Sequence, residues 1–293
     1  MKLQNNKISM FILKSIKDSN YVDNYYLLCY YKYCKDKNLI RRKMFLKLVC
    51  VKERNEKMQL IVKGIKKKFG AKEVLKGINF SFEKGKIYGL LGRNGAGKTT
   101  FFNCLNEDIK VDEGQFIIKN GQEQRKVDIS DIGYVVSTPN VPEFLTGREF
   151  LKFFLEINEN NIQNPKSIDE YFDFMKIDEA DRDKLLKDYS HGMKNKMQML
   201  VNIIANPNIL LLDEPLTSLD VVVAEEMKQM LREIKKDHII IFSTHIMELA
   251  LSLCDEIVIL SNGVLEEIDR NNLDNTEMKD KIISALKEED SNV

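Results

Sequence analysis

The sequence predicts an α/β fold, in which a parallel β-sheet core carries a phosphate-binding loop and is joined by an antiparallel β segment and a helical insert. Three observations predict it. IYGLLGRNGAGKT (87–99) is an apolar strand, a glycine-rich turn and a helix start. NILLLDEP (208–215) is a second wholly apolar run, of the kind buried on both faces in a parallel sheet, and it closes on two carboxylates. Between and after them, amphipathic helical stretches alternate with further apolar runs.

The elements follow in order. After Met58, LIVKGI and INFSF alternate as strands of the antiparallel segment. GRNGAGKT (92–99) fits G-x-x-x-x-G-K-[ST]. Gly92, Gly95 and Gly97 lack a Cβ, so the loop Gly92, Arg93, Asn94, Gly95, Ala96, Gly97 can curl and aim its N–H groups inward. Those amides, with the N-terminus of the helix opening at Lys98, Thr99 and Thr100, form an anion cradle. Lys98 supplies a point charge for the β- and γ-phosphates of a nucleotide, and Thr99 offers a hydroxyl to Mg²⁺. A glycine-rich turn that binds nothing is the plain alternative; the strand–loop–helix context argues against it.

EGQFIIKNG (113–121) has hairpin character, and DIGYVV (131–136) is a strand. TGREFLKFFLEIN (146–158) and SIDEYFDFMKI (167–177) are helices opening on capping boxes, Thr146 with Glu149 and Ser167 with Glu170. They form a helical insert over about residues 140–190, whose Phe-rich stripe reads as core. MKNKMQMLVNIIA (193–205) is a helix with Ser190 as candidate cap. At the end of NILLLDEP, where parallel sheets bind ligands, Asp213 suits Mg²⁺ and Glu214 can polarise an attacking water. VVVAEEMKQMLREIKK (221–236) is a helix, HIIIFST, DEIVILSNG and VLEEID are strands, and the tail 275–290 is one amphipathic helix at most.

The two motifs flank YSHGM (189–193) and are followed by SLD (218–220) and FSTH (242–245). This order resembles the ATP-binding domain of ABC transporters, a P-loop NTPase fold, over residues 59–270. The resemblance implies ATP and Mg²⁺ as cofactors. It implies that Lys98, Glu214 and the switch histidine His245 act in hydrolysis, and that Thr99 and Asp213 serve the metal. Ser190, His191 and Gly192 would occupy the signature normally written LSGGQ and reach the γ-phosphate held by a second ATP-binding subunit, in a homo- or heterodimer. Asp220 would be the D-loop aspartate, and Phe69, in KKKFG, the aromatic that stacks on adenine. Phe69 as a core aromatic, Ser190 as a plain helix cap and His245 as a loop histidine remain the simpler alternatives. The family also implies an integral-membrane permease on separate chains, docked by an edge of the helical insert. The chain would sit in the cytoplasm, peripheral on the inner face of the membrane. YSHGMKNKMQ with LTGREFLKFF looks like the subfamily that exports drugs or bacteriocin-like peptides.

Three positions depart from the family pattern. Ser137 stands where a Gln ligates Mg²⁺ and senses the membrane partner, and Ser is two carbons shorter. His191 and Met193 replace a Gly and the Gln of the signature, adding bulk and removing a polar contact.

Composition narrows the rest. The 293 residues carry no net formal charge, which gives no footprint for nucleic acid. The charge is split, however. Residues 1–57 hold 14 basic and 5 acidic side chains, and 58–293 hold 31 and 40. Five scattered cysteines include no pair of metal-ligand motifs, so reduced thiols are expected. The longest apolar runs fall far below the ~20 residues of a membrane span. Residues 1–57, basic and holding six of the ten tyrosines, read as an extension ahead of a 58–293 domain. Either Met58 is the natural start, which the composition shift favours, or the extension touches anionic lipid or the partner.

Other classes fit less well. Ribosome-acting relatives usually carry two cassettes in one chain. Chromosome-organising relatives place a long coiled coil between the first motif and the signature, and no sustained heptads occur here. A soluble ATP-binding regulator with little turnover is the remaining alternative.

Overall fold

The computed structural model describes residues 58–160, 162, 164–217, 219–268 and 282. The expectations for residues 1–57, for Ser218 and for the tail helix 275–290 therefore lie outside the described residues, apart from Ile282, which is helical and buried.

The parallel sheet forms as the apolar runs predict. β3 (Ile87–Leu91), β7 (Ile209–Asp213) and β8 (Ile239–Thr244) are buried along their whole lengths. With β6 (Ile132–Val135), β9 (Glu256–Ser261) and β10 (Val264–Ile268) they make a six-stranded sheet in the order β10-β9-β3-β8-β7-β6. All neighbours are parallel except β10 and β9. The second sheet is antiparallel, in the order β2-β1-β4-β5. It comprises β1 (Gln59–Phe69), β2 (Lys72–Glu83), β4 (Glu113–Asn120) and β5 (Glu123–Lys126). β2 is longer than INFSF, because KEVLKG pairs with the end of β1 through a register shift.

Strand alternation divides the apolar residues of the parallel sheet between two cores. Tyr88, Leu90, Ile209, Leu211, Ile239 and Ile241 face α1 (Lys98–Leu105) and the antiparallel sheet. There Phe82 and Tyr88 meet edge-on, ring centroids 4.9 Å apart, and Phe101 and Phe102 of α1 are fully buried. Burying each such ring contributes about 2–3 kcal/mol. Ile87, Leu91, Leu210, Leu212, Ile240 and Phe242 face the opposite core.

The helical insert contains α2 (Gly147–Ile157), α3 (Ile168–Phe174) and α4 (Glu179–Arg182), the last unforeseen. Both predicted capping boxes form. The Phe-rich stripe is core in part: Leu151 is buried, Phe150, Phe154 and Leu155 pack on it, and Phe153 is exposed. Arg182 fastens α4 to α3 by donating to Ile177 O (3.1 Å) and to Asp169 and Asp173. α5 (His191–Ile204), α6 (Val221–Ile234) and α7 (Met247–Leu253) complete the fold.

Candidate nucleotide site

The site is assembled by strand parity. In the register of β7 and β8, Asp213 lies opposite Ser243, on the sheet face that Leu211 and Ile241 present to α1. The Asp213 carboxylate therefore meets the top of α1, where Thr99 donates its hydroxyl to Oδ2 at 2.8 Å. Fully buried Ser243 donates to Asp213 Oδ1 and accepts the Glu214 N–H at 3.0 Å. That second bond helps hold Glu214 at φ 49°, a left-handed conformation that strains a residue bearing a Cβ.

The loop ahead of α1 depends on two glycines. Gly97 caps the helix at φ 106°, and a Cβ there would come within 2.8 Å of Val74. Gly95, at φ 77°, would meet nothing within 4 Å, so open space lies beside it. Lys98 turns back over the loop and donates to the carbonyls of Gly92 (2.7 Å) and Arg93 (3.2 Å), while Ala96 N–H closes a turn on Arg93 O. Burial lowers the Lys98 ammonium below the usual lysine value, and the nearby Glu214 and Asp213 carboxylates oppose that shift. Glu214 Oε1 lies 3.6 Å from Lys98 Nζ and 3.2 Å from His245 Nδ1.

A cleft of about 420 Å³ is lined by Phe69, Lys72, Val74, Asn94, Gly95, Gly97, Lys98, Thr99, Thr100, Ser137, Asp213 and Glu214. That volume suits a nucleotide-sized ligand. Gly92, Arg93, Ala96 and His245 are not in that lining; His245 is linked to it through Glu214. A recess beside α3, α5 and α6 holds about 50 Å³, too little for one. Phe69 is 48% exposed, which excludes the core-aromatic alternative. The Thr99 hydroxyl and Asp213 carboxylate side by side, with the Lys98 ammonium near them, fit Mg²⁺ and phosphate chemistry.

The remaining expected residues lie off the cleft. Ser190 caps α5, accepting the Met193 N–H at 3.2 Å, and Asp220 caps α6, accepting the Val223 N–H at 3.0 Å. The two caps are neighbours, since a Cβ on Gly192 would lie 3.4 Å from Val223 and 3.6 Å from Leu219. His191 is exposed there. His238 is instead a core histidine, its Nδ1 2.6 Å from Pro207 O, and burial pushes its pKa down.

Sequence reasoning missed Lys72, Val74 and Ser243. The alternation of KEVLKGINFSF carried the signal for the first two, and the parity of IIIFST carried it for Ser243. Among the described residues, no His, Cys, Asp and Glu cluster forms a further metal site, and no helix is long and apolar enough to cross a membrane.

Comparison with known proteins supplies the family. The profile of the family described as ABC transporter matches residues 75–217. The Bacillus subtilis protein named uncharacterized ABC transporter ATP-binding protein YdbJ is 30% identical over 225 residues, 75% of this chain and 72% of that protein. The Synechocystis protein named sulfate/thiosulfate import ATP-binding protein CysA is 33% identical over 216 residues, 72% of this chain and 60% of its own length. A solved nucleotide-free ATP-binding cassette from an ABC transporter superposes with a TM-score of 0.66 at 21% identity, covering 79% of this chain and 100% of that one. The chain therefore belongs to the ABC transporter ATP-binding family.

Proposed function

We propose that this chain binds ATP with Mg²⁺ in the cleft and hydrolyses it as one subunit of a dimer, driving export through a separate integral-membrane permease from the cytoplasmic side. One observation carries the reading. Lys98, Thr99, Asp213 and Glu214, drawn from two distant segments, line one cleft of nucleotide size, and His245 from a third segment bonds to Glu214.

In this reading the amides of residues 92–99 and Lys98 take the phosphates, and Phe69 stacks on the base. Thr99 and Asp213 would hold Mg²⁺. When bound, Mg²⁺ would neutralise phosphate charge and polarise the phosphoryl oxygens. Glu214 accepts a hydrogen bond from the attacking water, and His245 keeps that carboxylate aimed. Ser190, His191 and Gly192 of the opposite subunit, with the positive end of α5, close the site over the γ-phosphate. Asp220 lies beside them at the same junction. The assignment of 58–293 as one ATP-binding domain, with its insert at about 140–190, belongs to this proposal.

The test is phosphate release by the purified chain, with and without a co-purifying multi-span protein. Glu214→Gln is expected to lower release at least about 100-fold while ATP stays bound in a stable dimer. Unchanged release would remove Glu214 from the chemistry. A second reading, a regulatory ATP-binding protein with little turnover, is favoured by Ser137 lining the cleft where the family pattern has Gln. ATP bound without turnover, and no membrane protein co-purifying, would establish it. The export direction is tested in vesicles of known orientation, where inward movement of cargo would overturn it.

A further inference from the structure

Phe69 ends β1 as a ring half open to solvent. An exposed ring samples several rotamers, and fixing one costs entropy when a ligand stacks on it. Beside it, Lys67 is held firmly. Its side chain is only 13% exposed, and Nζ donates to Lys110 O at 2.8 Å and to Asp112 Oδ1 at 3.2 Å. Asp112 is itself pinned: Oδ2 accepts the Lys68 N–H at 2.7 Å, and its own N–H donates to Lys66 O at 3.0 Å. The Lys68 N–H and the Lys67 ammonium hold the Asp112 carboxyl below the usual carboxylate range, so this anchor stays charged. The ammonium so fixed lies 5.3 Å from the centre of the Phe69 ring, within cation–π reach. Phe69 lines the cleft and Lys67 does not. The anchored ammonium thus contacts a ring that itself borders the cleft.

We propose that Lys67 is a positioning residue that sets the pose of Phe69 for stacking by the nucleobase. The inference depends on the stacking role proposed for Phe69 above. The adjacent lysines are differently placed: Lys66 pairs with exposed Glu113, and Lys68 engages Asp112 through its backbone.

The test measures, by calorimetry on the full chain, affinity for ATP and for inorganic tripolyphosphate, which has no base. Phe69→Ala is expected to weaken ATP and spare tripolyphosphate; equal ATP affinity would overturn the stacking reading itself, and this inference with it. If Phe69→Ala behaves as expected, Lys67→Met should weaken ATP by about two- to fivefold, spare tripolyphosphate, and be rescued by Lys67→Arg, which keeps the cation. In the Phe69→Ala background Lys67→Met should add nothing. Unchanged ATP affinity in Lys67→Met, or equal weakening of both probes, would overturn the positioning role while leaving Phe69 stacking intact. Should Lys67→Met fold poorly, Asp112→Asn loosens the same ammonium and is expected to show the same selectivity for ATP.

Discussion

The two ends of the proposed chemistry are built on opposite plans. At the phosphate loop, Lys98, Thr99, Asp213, Ser243, Glu214 and His245 bond to one another or to the loop, and most are buried or half-buried. At the signature end, Ser190 and Asp220 turn their oxygens onto their own helices, Gly192 sits beside Val223 and Leu219, and Val221 and Val222 stand 85% and 69% exposed. The first region is held together by its own hydrogen bonds. The second presents two helix N-termini and apolar surface outward, as a half-site needing a partner would. In the proposed mechanism the first region supplies nucleotide binding and the water chemistry, and the second supplies only closure over the γ-phosphate of a partner.

The largest expected effect would break that division. Lys98→Ala removes the cation of the organised half, and ATP affinity should fall at least about tenfold. Gly192→Asp puts an anion at the signature end of α5, where an added Cβ meets Val223, Leu219 and Ser190 at ordinary contact distance. It should lower phosphate release about 100-fold and leave the ATP affinity of the isolated chain within about twofold. Calorimetry and phosphate release on both variants check this. If Gly192→Asp weakens ATP binding as strongly as Lys98→Ala, the two regions are not separate in function.

A smaller effect tests how far the organised half stabilises itself. Ser243→Ala leaves the buried Asp213 Oδ1 and the Glu214 N–H each without the hydroxyl they share. Denaturant unfolding should show a loss of about 1–3 kcal/mol, and turnover should fall because Glu214 loses a restraint on its strained backbone. Full stability in this variant would mean that another group takes over the Ser243 contacts.

Much of this was legible in the sequence because it is local. The apolar runs of β3, β7 and β8 and the capping boxes of α2 and α3 depend on neighbours only a few residues away, and they form as read. The motif order likewise located Lys98, Asp213, Glu214 and His245 without structure. Ser243 escaped because its importance is a matter of register: it faces Asp213 only once β8 lies beside β7. Lys67 escaped because its anchor, Asp112, is 45 residues away and no local pattern joins them. α4 escaped because four residues are too few to show a helical period.

The smallest effect concerns the departures from the family pattern, and the two regions should answer differently. Ser137 is exposed and lines the cleft, so a longer amide has room to reach toward Asp213 and a bound cation. Ser137→Gln should raise turnover about two- to fivefold and lower the Mg²⁺ concentration for half-maximal release. Met193 is half-buried and packs on the core beneath α5. A Gln there exchanges apolar contacts for an amide that must first leave the core, so Met193→Gln should cost under about 1 kcal/mol of stability and leave turnover unimproved. A gain from Met193→Gln equal to that from Ser137→Gln would show that the signature half is limited by its chemistry and not by its packing.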